Sequence, residues 1–267
     1  MVNIDNVYQK VLAFANKEQR GYIHPQEFNL FADQAQMEIF EQYFYDKNQF
    51  ARIPGNRYEY SDAVNNLEEK IAIFEKYNVS VNVREHSTWY PETFGDVVLG
   101  KQITDIYRLG AVSIKYGKSN WVKDNATGHM ENLNRKVVAE KVQINELLER
   151  ARGSLTKPSK KSPVYAEHPS AGDRRIKIYP YPHHDKAIDD VRISYVRKPI
   201  KPHWGYVVVN HKPLYNSSDS IHFELHPSDE SELVYRILAY AGIALEKPGL
   251  SQAAIGFETT KQQQEKA

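Results

Sequence analysis

Cysteine is absent from all 267 residues. Disulfides, thiolate metal sites and cysteine nucleophiles are therefore excluded. An excess of one charge is also missing: Lys and Arg total 35, Asp and Glu 34, and the formal net charge is +1. Proteins that coat nucleic acid concentrate positive charge, so this balance argues against that role without excluding a chain that DNA merely passes. No stretch approaches the ~18 uninterrupted apolar residues of a membrane span, and the opening MVNIDNVYQK lacks the apolar core of a secretory signal. Phosphate-cradling loops of the GxGxxG or GxxxxGK[ST] type are missing, as are a GxSxG elbow and an HExxH helix. No local motif thus marks a catalytic, metal or cofactor site, and a hydrolase with a site assembled from distant residues is a further reading.

What is present is apolar periodicity and tyrosine. Eighteen tyrosines bring aromatics to 12%; interfaces favour Tyr, although any single copy is more often at a core edge. Ile4, Val7, Tyr8, Val11, Leu12 and Ala15 fall on one helical face, predicting a helix over 4–19. Gly21 breaks it, and Pro25 suits the first turn of a second helix, with Glu27 near its positive end. There Phe28, Phe31, Ala32, Ala35, Ile39 and Tyr43 make one stripe, flanked by Met37, Phe40 and Phe44. A helix apolar over that much girth must be covered on more than one side. Packing within the chain covers one; a neighbouring subunit is the candidate for another, with Met37, Phe40, Tyr43 and Phe44 as candidate interface residues. Ser61 or Asp62 opens a third helix carrying Val64, Leu67, Ile71 and Phe74.

Glycine-bounded β-branched runs at 96–99 and 111–114 read as strands. Helical spacing returns over 130–151, through Leu133, Val137, Ile144 and Leu148, until Gly153. The Pro- and Ser-rich stretch 153–173 reads as loop, with Lys157, Lys160 and Lys161 as a candidate basic cluster. Strands with one wet face follow around Ile176–Ile178, Val191–Tyr195 and Ile221–Leu225, and Tyr206–Val209 reads as another strand. A final helix over 229–245 has Ser228 or Asp229 as cap and Glu232 in capping-box position. Pro248-Gly249 stops it, and the rest is polar tail.

The expected fold is α+β: a helical-bundle core formed by the N- and C-terminal helices, with a small antiparallel β-sheet inserted. Its parts are 1–78 (N-terminal helices), 79–128 (β-containing insertion), 129–152 (core helix), 153–227 (loop and strands), 228–247 (C-terminal core helix) and 248–267 (extended tail). The first and last helices are expected to pack together, since each has an apolar face needing a partner.

Chemistry is sparse. His183, His184 and Asp185 adjoin in a Pro-rich loop, and His222 and His226 stand near a strand-to-helix corner, but three or four convergent ligands are not in view. Asp124–Gly128 with Glu131 lacks the alternating oxygens of a calcium loop. Asp189-Asp190 and Glu68-Glu69 read as solvated charges. Arg174, Arg175, Arg197, Lys198 and Lys201 extend the basic set, and phosphate contacts through these loops define the alternative reading, a nucleic-acid-binding or processing protein.

The order of the motifs carries a resemblance. NKEQRGYIHPQEFNLFADQAQMEIFEQYFYDKNQF at 16–50 looks like the opening helix pair of virion structural proteins of tailed phages. SPVYAEH (162–168), IKIYPYP (176–182), DVRISYVRKP (190–199) and ELHPSDESELVYRILAYAGIAL (224–245) together resemble head–tail adaptor proteins, including the ring proteins of crAss-like phages. The resemblance implies a non-enzymatic virion protein of the neck, assembled in the host bacterial cytoplasm. It implies a dodecameric homo-oligomeric ring under the portal protein, docking tail or further neck proteins. The ring extends a channel that DNA crosses without sequence-specific binding, and no membrane is involved. In related adaptors a C-terminal extension reaches the portal, which makes Leu250, Ile255 and Phe257 candidate portal contacts. A closed ring requires two different faces per subunit.

Overall fold

The computed structural model describes residues 1–17, 23–52, 58–82, 84–86, 94–116, 121–123, 130–132, 136–168, 173–180, 190–244 and 248–266. The chain divides into two compact units, Met1–Phe74 with Pro199–Ala267, and Glu75–Lys198. The first segment holds α1 (Ile4–Lys17), α2 (Pro25–Arg52) and α3 (Tyr58–Ala72). The second unit begins with β1 (Glu75–Val81), β2 (Arg84–His86), β3 (Phe94–Val98), the short α4 (Leu99–Gln102) and β4 (Ile106–Lys115). It continues with β5 (Trp121–Lys123), β6 (Met130–Asn132), β7 (Val137–Val138), β8 (Glu140–Lys141) and α5 (Ile144–Arg152). It ends with β9 (Val164–Glu167), β10 (Arg175–Tyr179) and β11 (Asp190–Arg197). The chain then returns to the first unit through β12 (Tyr206–Val209), β13 (Lys212–Tyr215), a 3-10 turn at Pro227–Asp229, α6 (Glu230–Ala244) and α7 (Pro248–Lys266).

In the first unit, Asn3 starts α1 by accepting the Asp5 N–H with Oδ1 at 2.9 Å, as an N-cap does. The stripe Ile4, Val7, Tyr8, Val11 and Ala15 is buried, and α1 packs on α6 as its apolar face demands. Glu27 reaches back to the His24 N–H at 3.1 Å, closing the start of α2 behind Pro25. The cap of the last core helix differs from expectation. His226 opens the 3-10 turn by accepting the Ser228 N–H with Nδ1 at 3.3 Å. Asp229 instead turns fully inward, where Lys70 donates to it at 2.7 Å and the Tyr43 hydroxyl donates to its other oxygen.

The expectation of one helical core with a small inserted sheet is corrected. Residues 75–198 are a unit with their own core, not an insertion on a bundle. A four-stranded sheet, ordered β1-β11-β4-β7, and a five-stranded sheet, ordered β2-β3-β10-β9-β8, share that core. Val112, Ile114, Val191 and Ile193 enter it from the first sheet, and Val97, Tyr165, Ile176 and Ile178 from the second. The far face of the second sheet is covered by α5, through Leu147 and Ala151 on Val164, Ala166 and Tyr179. Strand β9 is therefore buried on both faces, which is why Val164-Tyr165-Ala166 does not alternate.

Three boundaries move for related reasons. The helix expected over 129–152 begins only at Ile144; 130–132, 137–138 and 140–141 are strand, since β-branched Val137 and Val138 find partners beside Ser113 and Ile114. The strand expected over Ile221–Leu225 is two isolated bridges, Ile221 to His203 and Phe223 to Val2. The extended tail expected after 248 is helix α7, begun by Pro248 and rich in Gln, Glu and Lys, which are good helix formers.

Candidate interaction surface

Strands β12 and β13 form a two-stranded sheet of their own. Val209 pairs with Lys212 across Asn210 and His211, whose φ values of 49° and 62° give the left-handed two-residue turn that matches strand twist. Paired strands of this length are marginal by themselves, so the base must hold them. Trp204, 2% exposed, lies under the Tyr206–Tyr215 pair with ring centroids 5.8 and 5.9 Å away, and meets Tyr8 at 4.4 Å with the rings tilted by 45°. Its indole N–H donates to Asp5 at 3.0 Å and its backbone N–H to Asn29 Oδ1 at 2.8 Å. Gly205 is required beside it, because a Cβ there would come within 2.8 Å of the Asp219 carbonyl carbon.

Above that base, Val207, Val208, Val209 and Leu214 are 52%, 61%, 46% and 53% exposed. Cross-strand alternation puts Val208 with Pro213 on one face, and Val207, Val209 and Leu214 with Lys212 on the other, so both faces are apolar apart from Lys212. Fully burying such side chains is worth about 1.5–3 kcal/mol each. From Trp204 to Ser218 no acidic residue occurs, and among the described residues Lys212 has no ion-pair partner.

The outer face of α2 has the opposite chemistry. Glu27, Leu30, Gln34, Met37, Glu41, Tyr45 and Asn48 follow 3-4-3-4-4-3 spacing along one stripe. Leu30 is 71% and Tyr45 61% exposed, Met37 is half-buried, and Glu27 and Glu41 are exposed. The expected interface on this helix is therefore displaced. Phe40 is fully buried, edge-on to Phe74 at 4.9 Å and to Phe44 at 5.1 Å, and Tyr43 is held by Asp229. Helix α2 packs on α3 and α6 of the same chain, which leaves Phe40 buried and Met37 and Phe44 half-buried. Phe40 and Tyr43 are core residues, and Phe40→Asp would disrupt the fold rather than an assembly.

Of the expected tail contacts, Ile255 and Phe257 lie on α7, 48% and 58% exposed, with Phe257 stacked on Tyr235 at 5.6 Å. The Leu250 side chain lies outside the described residues. Helix α7 is joined to α6 by charge as well as by the buried Ala254. Arg236 lies 2.8 Å from Glu232, 3.2 Å from Glu38 and 3.1 Å from Glu258, and Lys261 donates to the Ser228 carbonyl at 3.3 Å. Burial alone would lower the Arg236 pKa, but the surrounding carboxylates outweigh it and hold the guanidinium above its ordinary value. Burial, then the hydrogen bond to Glu38, pushes the Tyr240 phenol up to about 12.

The basic set is partly consumed within the second unit. Lys157 and Lys160 sit 5.9 and 5.7 Å from the ring centres of Tyr179 and Tyr116, while Lys161 is exposed. Arg174 donates to Glu167 and to the Tyr107 carbonyl, both at 3.1 Å. In the first unit Lys201 pairs with Asp33 at 3.2 Å. The charges nevertheless divide: Glu75–Lys198 has 22 Lys and Arg against 15 Asp and Glu, net +7, and the rest has 13 against 19, net −6.

Among the described residues no group of three or more His, Asp or Glu is placed to hold a metal, and no helix is long and apolar enough to cross a membrane. His222 accepts the Ile4 N–H at 3.3 Å and His226 caps its turn, so both have local structural partners. His183, His184, Asp185, Asp189 and the segment 124–128 lie outside the described residues, as do the side chains of Glu131 and Asp190. No protein-family model matches the chain, and no curated protein matches it in sequence.

Proposed function

We propose that this chain is a non-enzymatic structural subunit that assembles with copies of itself, as the head–tail adaptor of a tailed phage, forming a ring under the portal and docking neck or tail proteins. The observation that carries the reading is the β12–β13 hairpin, apolar on both faces and held on a rigid base. Exposed apolar elements of this kind mark interaction sites. The motif order from 16–50 to 224–245 supplies the phage setting. The net +7 of Glu75–Lys198 suits the wall of a channel that DNA crosses without sequence-specific contact.

That same +7 favours a second reading, a nucleic-acid-binding protein that uses the basic unit directly. Electron microscopy of the purified chain, alone and mixed with the portal of the same particle, separates them. Closed rings with a central channel, stacked on the portal, are expected. A chain that stays monomeric beside portal and binds DNA with steep salt dependence overturns the adaptor reading in favour of the second.

A further inference from the structure

We infer that the β12–β13 hairpin of one copy seats on the outer face of α2 of a second copy, with Lys212 over Glu41. This rests on the reading above that copies assemble, and names the two surfaces that meet. The hairpin projects Val207, Val209 and Leu214 on one face and carries Lys212 and His211 at its tip without an acid. The α2 stripe sets Leu30, Met37 and Tyr45 between Glu27 and Glu41. Each surface thus combines aliphatic contact with charge of one sign, and the signs are opposite.

Lengths agree. Four-residue strands extend about 13 Å, and the α2 stripe from Leu30 to Glu41 runs about 17 Å. Lys212 and Glu41 are both exposed, and neither has an ion-pair partner among the described residues. Leu30, Tyr45, Val207, Val209 and Leu214 stay exposed, so none of them is packed away by the described residues of its own chain. Because the two patches differ and lie in one unit, copy-to-copy docking is heterologous, the arrangement that closes into a ring or continues as a filament.

Edge chemistry adds a direction. In a two-residue hairpin the pair flanking the turn exchanges both ladder bonds, so the next pair, Val208 and Pro213, turns its backbone outward. Pro213 has no N–H to offer, which blunts the β13 edge against strand pairing. The hairpin therefore docks through side chains of the Val207, Val209 and Leu214 face rather than by adding a strand along β13.

The test is sedimentation velocity of the full chain across protein concentration, with Lys212→Glu, Glu41→Lys, their combination, and Val207→Asp. All these positions are exposed, so the melting temperature reports whether the fold survives. We expect each single charge reversal to weaken self-association about tenfold or more, the combination to recover most of it, and Val207→Asp to abolish it. Wild-type association that all four variants leave unchanged overturns this docking but not the assembly reading. Loss with Lys212→Glu that Glu41→Lys fails to rescue overturns α2 as the seat. A wild-type chain that stays monomeric at every concentration overturns both.

Discussion

Arg236→Met tests whether the charge cluster on α6 acts as the clamp that holds α7. Arg236 is 9% exposed, is surrounded by Glu232, Glu38 and Glu258, and donates to Gln42. Methionine keeps much of the stem but leaves the Glu232 side chain, 6% exposed, and the Glu258 side chain, 18% exposed, without their shared counter-charge. Breaking a buried ion cluster by removing one partner costs about 3–5 kcal/mol. Glu38 at 37% exposure, and Lys261 at 3.9 Å from Glu232, soften the loss and set the expectation near the low end. A cost of about 3 kcal/mol corresponds to roughly 6–12 °C of melting temperature at this size. The pH dependence has a definite sign. Burial holds the Glu258 carboxyl above its ordinary range; Arg236 opposes this, while Glu232 and Glu38 add to it. A carboxyl raised in the folded state favours folding at low pH, and that contribution is lost as pH rises through its folded value. Removing Arg236 raises it further, so the deficit is greatest near neutrality and shrinks toward the ordinary carboxylate range, about pH 4.3. Calorimetric melts of wild type and variant at both ends of that window measure it. A neutral-pH deficit under about 1 kcal/mol, or one that grows on acidification, refutes the clamp.

Three further outcomes follow from the same geometry. Asp229→Ala strands Lys70 and the Tyr43 hydroxyl in the interior and should cost about 3–5 kcal/mol, and adding Lys70→Met should recover part of it in a urea-denaturation cycle. Gly256→Ala meets nothing within 4 Å inside α7 and should stabilise by about 0.5–1 kcal/mol, read as a higher melting temperature; a loss would mean that this helix is not formed in solution. A fragment spanning Glu75–Lys198 should fold alone, since Glu75 pairs with Val196 and its ends therefore meet; cooperative thermal unfolding and dispersed amide resonances are the readout, and a non-cooperative melt would contradict the division.

Much of the secondary structure was legible because each element has one dominant periodicity. The α1 and α6 faces and strands β10 and β11 show it, with Ile176 and Ile178 or Val191 and Ile193 buried as alternation requires. Periodicity reports how many faces are covered, but not by what. In the apolar stripes of α2, Phe40 and Tyr43 are buried within their own chain, while Met37 and Phe44 stay half-buried. Half of the hairpin is legible: Val207-Val208-Val209 reads as a strand, but its return does not. A turn made by Asn210 and His211 without glycine gives a weak signal, and three consecutive valines suggest burial rather than exposure. Polarity after Ser251 suggested an extended tail, although Gln, Glu and Lys favour helix once Arg236 and Tyr235 supply something to lie on. Asp229 was placed as a cap by position; its partners Lys70 and Tyr43 are 159 and 186 residues away, beyond any local pattern.

A net charge of +1 argues against contact with a polyanion only if the charges are mixed in space. Here the chain gathers 22 of its 35 basic residues between Glu75 and Lys198 and 19 of its 34 acidic residues outside it. Exposed charges act over about 8 Å at physiological salt. A partner therefore feels the unit it touches and not the average of the chain. Nucleic acid beside the second unit meets net +7, and beside the first net −6. Whole-chain charge therefore says little about which macromolecule the protein meets.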